Sequence, residues 1–219
     1  MIMKTLNQYI QEKLIINKDY RDNMIVVKSF DELRKIIEDR YNKLGAGTEQ
    51  KPIDFNDIDV SNLDSFHNKN PLFDKGIFEE TKFKYIDISD WDVSNVANMT
   101  AMFDDCEELE SVGDISKWDV SNVRFMSFMF SGCKKFNQYI TNWDVSKVTN
   151  MSFMFTGCKK FNQDISDWDV SNVTDMWNMF RGCESFNQDI SKWNVLNVID
   201  AKNMFCNCPI KEEYKPKFK

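Results

Sequence analysis

The sequence predicts an α/β solenoid, a stack of about five to six 25-residue repeats behind a small α/β N-terminal cap. Three observations predict it. Trp91, Trp118, Trp143, Trp168 and Trp193 recur at spacings of 27 and then 25 three times. Met-Phe pairs keep the same rhythm at 102/103, 129/130, 154/155, 179/180 and 204/205. Cys106, Cys133, Cys158, Cys183 and Cys208 follow each pair by three residues. A fixed period of this length marks units that bury their apolar faces only against neighbouring copies.

The chain divides into a cap over 1–85, repeats over 86–208 and a charged tail over 209–219. Residues 1–16 predict a short amphipathic helix, with Leu6, Tyr9, Ile10 and Leu14 on one face. Met24 to Val27 has strand composition. Ser29-Phe-Asp-Glu32 is a capping-box pattern, in which the serine hydroxyl accepts an N–H three residues on and the glutamate reaches back. The helix it opens is expected over Phe30 to Leu44, burying Leu33, Ile36, Ile37 and Tyr41, and Gly45 stands where a helix ends. Residues 45–52 form a loop. Ile58-Asp-Val-Ser-Asn-Leu63 then matches Trp91-Asp-Val-Ser-Asn-Val96 with Ile in place of Trp. This copy degenerates from His67 to Asp74, and Phe78 and Phe83 resume its end. An atypical terminal copy is what an open core needs as a cover. The tail carries Pro216 and is expected to cap at most partially.

Within a repeat, with Trp as position 0, apolar residues recur at +2, +5, +8, +11, +12, +15, +18 and +22. The +8, +11, +12, +15 spacing predicts a short helical or 3₁₀ turn. The Ile-Ser-x-Trp and Val-Ser-Asn-Val segments are extended by composition. Each repeat is thus predicted as one or two short strands plus that turn. Stacking contributes on the order of 10 kcal/mol gross per repeat, at roughly 1.5–3 kcal/mol per large buried side chain, before chain entropy is subtracted.

Asp92, Asp119, Asp144 and Asp169, with Asn194 last, form a column at +1. Turns in which the side chain accepts the N–H two residues on relieve their mutual repulsion. A calcium ladder is the alternative, but the Gly-rich nonapeptides it uses are absent. The cysteine column reads as small buried thiols filling one corner of the core. Cys206-Asn-Cys208 lacks zinc-ligand spacing and has no histidine nearby. No metal or cofactor is expected.

The net charge of −7 and pI near 4.9 argue against general nucleic-acid binding. No apolar run approaches the roughly 18–20 residues of a membrane span. The start has no apolar signal core and no lipid-anchor cysteine, so a cytoplasmic or virion location is expected. His67 is the single histidine, and no phosphate loop or nucleophile elbow occurs, so no enzymatic activity is expected.

The copy Trp143-Asp-Val-Ser-Lys-Val-Thr-Asn-Met-Ser-Phe-Met-Phe-Thr-Gly-Cys158-Lys-Lys-Phe-Asn-Gln-Asp-Ile165 resembles the BspA-like leucine-rich-repeat family in its mycoplasma-lipoprotein form. The resemblance covers about 86–208 and implies a leucine-rich-repeat-like solenoid used for protein binding. Family members are often surface adhesins, which suggests an adhesin repeat lacking its signal as one alternative. Met3-Lys-Thr-Leu-Asn-Gln-Tyr-Ile-Gln-Glu12 resembles the capsid-targeting leader of T-even-phage internal proteins. That resemblance implies processing after Glu12 and a virion or prohead protein. The other reading is an ordinary amphipathic helix packed on the cap.

Positions expected to point outward carry the candidate site. Position +10 holds Ala101, Phe128, Phe153, Asn178 and Asn203, while Phe125 lies at +7 and Trp177 at +9 of their copies. Stacking is expected to bring Phe125, Phe128, Phe153 and Trp177 onto one flank, either as a partner-binding cluster or packed laterally between turns. Lys134, Lys135, Lys159 and Lys160 are expected beside it as a basic stripe, or as a solvated edge. The expected function is a non-enzymatic interaction module that docks a protein partner, with the oligomeric state left open.

Overall fold

The computed structural model describes residues 24–67, 76–79 and 81–219. The expected helix over 1–16 lies outside the described residues.

The cap is built from β1 (Ile25–Val26), α1 (Phe30–Leu44), β2 (Ile53–Asp54), β3 (Ile58–Asp59) and β4 (Ile86–Asp87). β1 pairs in parallel with β3, and β2 with β4. At the start of α1 the Ser29 hydroxyl accepts the Glu32 N–H at 3.2 Å. The Glu32 carboxylate reaches back to the Lys28 N–H at 2.7 Å, one residue before the expected partner. Gly45, at φ +76, ends the helix with its N–H on the Tyr41 carbonyl. Leu33 and Ile37 are fully buried, whereas Ile36 and Tyr41 are only partly covered, so the apolar face is narrower than expected. Tyr41 sets its edge on Phe83 at 5.0 Å. Arg34 donates to the carbonyls of Gly76 and Ile77, and Arg40 grips Asp57 through two bonds of 2.7 Å. The helix is thereby tied to the degenerate copy, not to the regular ones.

From that copy onward each repeat lies on the next. Phe78, Phe103, Phe130, Phe155, Phe180 and Phe205 form one column with ring centroids 5.2–5.9 Å apart. Phe136, Phe161 and Phe186 form a second column beside it. Each indole N–H at position 0 donates to a carbonyl of the preceding copy, as Trp143 does to Ile115 at 2.9 Å and Trp193 to Ile165 at 3.1 Å. Each buried thiol does likewise: Cys133 donates to Phe103, Cys158 to Phe130 and Cys183 to Phe155, at 2.9–3.0 Å. The cysteines therefore satisfy buried carbonyls as well as fill space, and burial pushes the Cys158 thiol well up.

The expected helical turn does not form. In each copy the N–H groups at +8, +10, +12 and +14 donate to carbonyls at +7, +9, +11 and +13 of the following copy, as from Met126, Phe128, Phe130 and Gly132 to Asn150, Ser152, Met154 and Thr156. The intervening N–H groups at +11, +13 and +15 close onto carbonyls three residues back, as Met129 does on Met126. This alternation requires left-handed backbone at +10 and +14. Ala101, Phe128, Phe153, Asn178 and Asn203 supply the first at φ 55–60, and Asp105, Gly132, Gly157, Gly182 and Asn207 the second at φ 54–71. A one-turn helix buries the same apolar positions but leaves its end N–H groups unpaired. Bonding to the next copy pairs them, so the stack overrides the local period.

Strand content is correspondingly lower than expected. The copies are joined by parallel bridges at +7, in the series Ser65 of the degenerate copy, Asn98, Phe125, Asn150, Asp175 and Asp200, and the first regular copy adds one at Ser111, with Tyr85. The +1 aspartates make the expected turns, with Asp119 and Asp144 each accepting a serine N–H at 3.0 Å. The hydroxyl and N–H of those serines hold the two carboxyls below the usual range. At the far end Ile210 and Pro216 are buried, Tyr214 accepts the Ile190 N–H, and the Lys215 ammonium lies 5.7 Å from the Phe205 ring. The tail thus covers the Phe205 side of the last copy and leaves Leu196 and Ile199 exposed.

Candidate functional site

The flank at +7, +9 and +10 is shaped by the same backbone. In most copies the +7 side chain caps it: Asn98, Asn150, Asp175 and Asp200 accept the N–H two residues on at 2.8–2.9 Å. The second copy carries Phe125 there, and its ring is left 44% exposed. Phe128 and Phe153 occupy left-handed backbone at φ 59 and 60. Their rings stack at 4.4 Å and 9°, and Trp177 stands edge-on to Phe153 at 4.8 Å and 66°.

Stacking therefore brings Phe128, Phe153 and Trp177 into one row. Phe125 lies three residues from Phe128 on the same copy but makes no ring contact with the row. Phe128 and Phe153 are half-buried, and Trp177 is 40% exposed. The rings pack on one another laterally, as one of the two expected arrangements has it, and still present surface.

Bulky residues in this backbone region carry a cost of roughly 1–2 kcal/mol each. An aromatic pair contributes about 0.5–1.5 kcal/mol beyond its burial. The stack between Phe128 and Phe153 does not clearly repay two such costs. Asn178 and Asn203 hold the same position in later copies, and asparagine tolerates the conformation readily. Backbone strain of this kind concentrates at functional positions.

The lysines do not form a free basic stripe. Lys134 pairs with Glu107 at 2.7 Å, Lys135 with Glu108 at 3.1 Å and Glu110 at 2.9 Å, and Lys159 with Glu184 at 2.7 Å. Lys160 is exposed, and its backbone N–H bonds the Lys134 carbonyl. The physical reason is register: Glu107, Lys134, Lys159 and Glu184 all stand at +16, so acidic copies flank basic ones. Such exposed pairs are screened by solvent and contribute little to stability. Beside them Glu110 also accepts the Tyr85 hydroxyl at 2.8 Å, and that bond is the largest cause raising the phenol.

Position +10, expected to point outward, is buried in two copies, at Ala101 and at Asn178, because its left-handed backbone turns the side chain against the neighbouring copies. Asn178 is 3% exposed and its Oδ1 has no partner among the described residues. It occupies the copy after Phe153, so the aromatic column ends on a buried amide. Elsewhere, a cleft of about 500 Å³ lies between α1 and the following loop, lined by Arg40, Leu44, Pro52 and Ile53. Among the described residues no group of three His, Cys, Asp or Glu is placed to hold a metal ion, and no helix is long and apolar enough to cross a membrane. Glu12 lies outside the described residues.

No curated protein and no solved structure matches the chain. A family model described as "Mycoplasma protein of unknown function, DUF285" matches residues 48–142 and again residues 110–215. The two matches overlap and together run from the loop after α1 through the repeats to the tail, well over half of the chain. The chain therefore belongs to this mycoplasma repeat family.

Proposed function

We propose that the chain is a non-enzymatic protein-interaction module. In this reading it is a leucine-rich-repeat-like solenoid of the BspA type, working in the cytoplasm or in a virion. It docks a protein partner through the flank of Phe125, Phe128, Phe153 and Trp177. The observation that carries the reading is the Phe128–Phe153 stack, half-exposed and held on left-handed backbone. Rigid, partly exposed aromatic rows are the usual anchors of protein interfaces.

The test replaces both phenylalanines with the residue found at +10 in the fourth and fifth copies. Phe128→Asn with Phe153→Asn should leave the unfolding free energy unchanged or raise it, by up to about 1–2 kcal/mol per site as strain is relieved. Partner capture in a quantitative pull-down should fall at least about tenfold, the loss of one aromatic anchor. Undiminished capture removes the flank as the docking face. Unfolding of the double variant makes the rings core and removes it too.

A second reading, a virion or prohead protein carried by its N-terminal segment, rests on Ile10-Gln11-Glu12. Its check is the intact mass of the natural protein: a product beginning at Lys13 supports it, and an unprocessed Glu12–Lys13 bond removes it.

A further inference from the structure

The stack has a direction. From Met99 onward the N–H groups at +8, +10, +12 and +14 donate forward, to carbonyls of the following copy, and Phe66 and Phe78 of the degenerate copy do the same. Those peptide units are aligned along one axis, and aligned peptide dipoles sum as they do in a helix. The N–H ends, partially positive, face the C-terminal end of the stack.

In the last copy the corresponding donors are the backbone N–H groups of Ala201, Asn203, Phe205 and Asn207. The carbonyls of Asp200, Lys202, Met204 and Cys206 are taken by Met176, Asn178, Phe180 and Gly182. Among the described residues nothing accepts from the four N–H groups. Asn203 and Asn207 keep φ 57, so the row retains the alternation of right- and left-handed backbone. Successive N–H groups in that alternation form concavities that bind anions. The surroundings match. Residues 200–219 hold Lys202, Lys211, Lys215, Lys217 and Lys219 against Asp200, Glu212 and Glu213, in a chain whose net charge is −7. Leu196 and Ile199 lie 59% and 87% exposed in the same copy.

We infer that this end of the stack docks an acidic peptide segment of a partner protein. Its carboxylates and carbonyls accept from the N–H groups of Ala201, Asn203 and Asn207, while its apolar side chains cover Leu196 and Ile199. The polarity of the edge selects this occupant. A second copy placed with its C-terminal end against this one would set donors against donors and lysines against lysines, and a head-to-tail copy would meet α1, whose Arg34 already takes the Gly76 and Ile77 carbonyls. An ordinary β-strand presents N–H groups alternating with carbonyls along each edge, so its own donors would face these. Glutamate and aspartate side chains supply acceptors without donors. A nucleic acid supplies acceptors too, but nothing to cover Leu196 and Ile199.

The experiment titrates the full chain with decaglutamate, followed by the amide resonances of the ¹⁵N-labelled protein. The resonances of Ala201, Asn203 and Asn207 should shift together and saturate. Ala201→Pro removes one donor yet keeps the carbonyl that receives the Met204 N–H, and Lys202→Glu reverses one charge. Each should weaken binding by about tenfold, the loss of one charge-assisted contact. Phe128→Asn with Phe153→Asn should leave this titration unchanged, which separates it from the flank proposed above. Absence of shifts at millimolar decaglutamate overturns the inference. So does decalysine shifting the same amides equally, or deca-thymidylate binding them more tightly than decaglutamate. If Ala201→Pro unfolds, the wild-type shift map and Lys202→Glu decide.

Discussion

Phe128 and Phe153 show what single side chains contribute beyond their pattern. Spacing marked the core columns of Trp, Met, Phe and Cys, because stacked copies repeat their apolar positions. Left-handed backbone was half visible. Asp105, Gly132, Gly157, Gly182 and Asn207 at +14 are all types that tolerate it, and that column was there to be read. Phenylalanine at +10 gave the opposite signal, so the same conformation four residues earlier was hidden. The two causes of cost at +14, space and backbone, can be separated. A Cβ built on Gly157 meets nothing closer than the Gly132 Cα at 3.8 Å. Gly157→Ala should therefore lose only about 1 kcal/mol, from backbone strain. Gly157→Asn should cost less, because asparagine already occupies the same backbone at Asn207. Chemical denaturation of both variants checks the order, and a larger loss for asparagine would make space the limiting factor.

The copies behave as interchangeable units because their bonds run to the nearest neighbours. Trp143 and Trp168 stand 25 residues apart, so removing residues 143–167 joins like to like. Trp168 would then meet the Ile115 carbonyl that now receives the Trp143 indole. The deletion should keep a single cooperative transition, with a lower denaturant slope in proportion to the area lost. Loss of cooperativity would show that the copies do not propagate order from one to the next. Of the segments expected from sequence, α1 formed over the anticipated residues because its caps are local. The repeat turn did not become helical, because an apolar period cannot report which N–H finds which carbonyl. That choice is made across copies, and it also replaced the expected strands by single bridges. The candidate row was legible as three of four residues: the stack joins Phe128, Phe153 and Trp177 and leaves Phe125 beside them.

The stacked chain as a body has opposing acid–base dependences. Asp119, Asp144, Asp164, Asp169 and Asp189 are held below the ordinary carboxyl value, by hydrogen bonds from serines two residues on. Their contribution is present above the unfolded value and is lost as pH falls through the folded ones. Asp104 runs the other way. Burial pushes it up to about 6, partly offset by a bond from Ser131, with Asp105 and Glu79 adding repulsion. The folded state then binds more protons than the unfolded state between the two values, so this group destabilises as pH rises from about 4 through 6. Stability should pass through a maximum in mildly acidic solution. Asp104→Asn should flatten the alkaline side of that maximum in denaturation midpoints taken across pH, and an unchanged slope would assign it to other groups.

Sequence by itself determined the period, the core columns, the bounds of α1 and the aspartate turns. Each depends on residues a few positions apart or on exact repetition. Only the tertiary structure decided that the repeat turns bond outward with one polarity, that the +16 lysines are neutralised by glutamates of adjacent copies, and that the last copy ends in a row of N–H groups with no acceptor among the described residues. Those outcomes depend on partners a full repeat away, brought into reach by the stacking of one copy on the next.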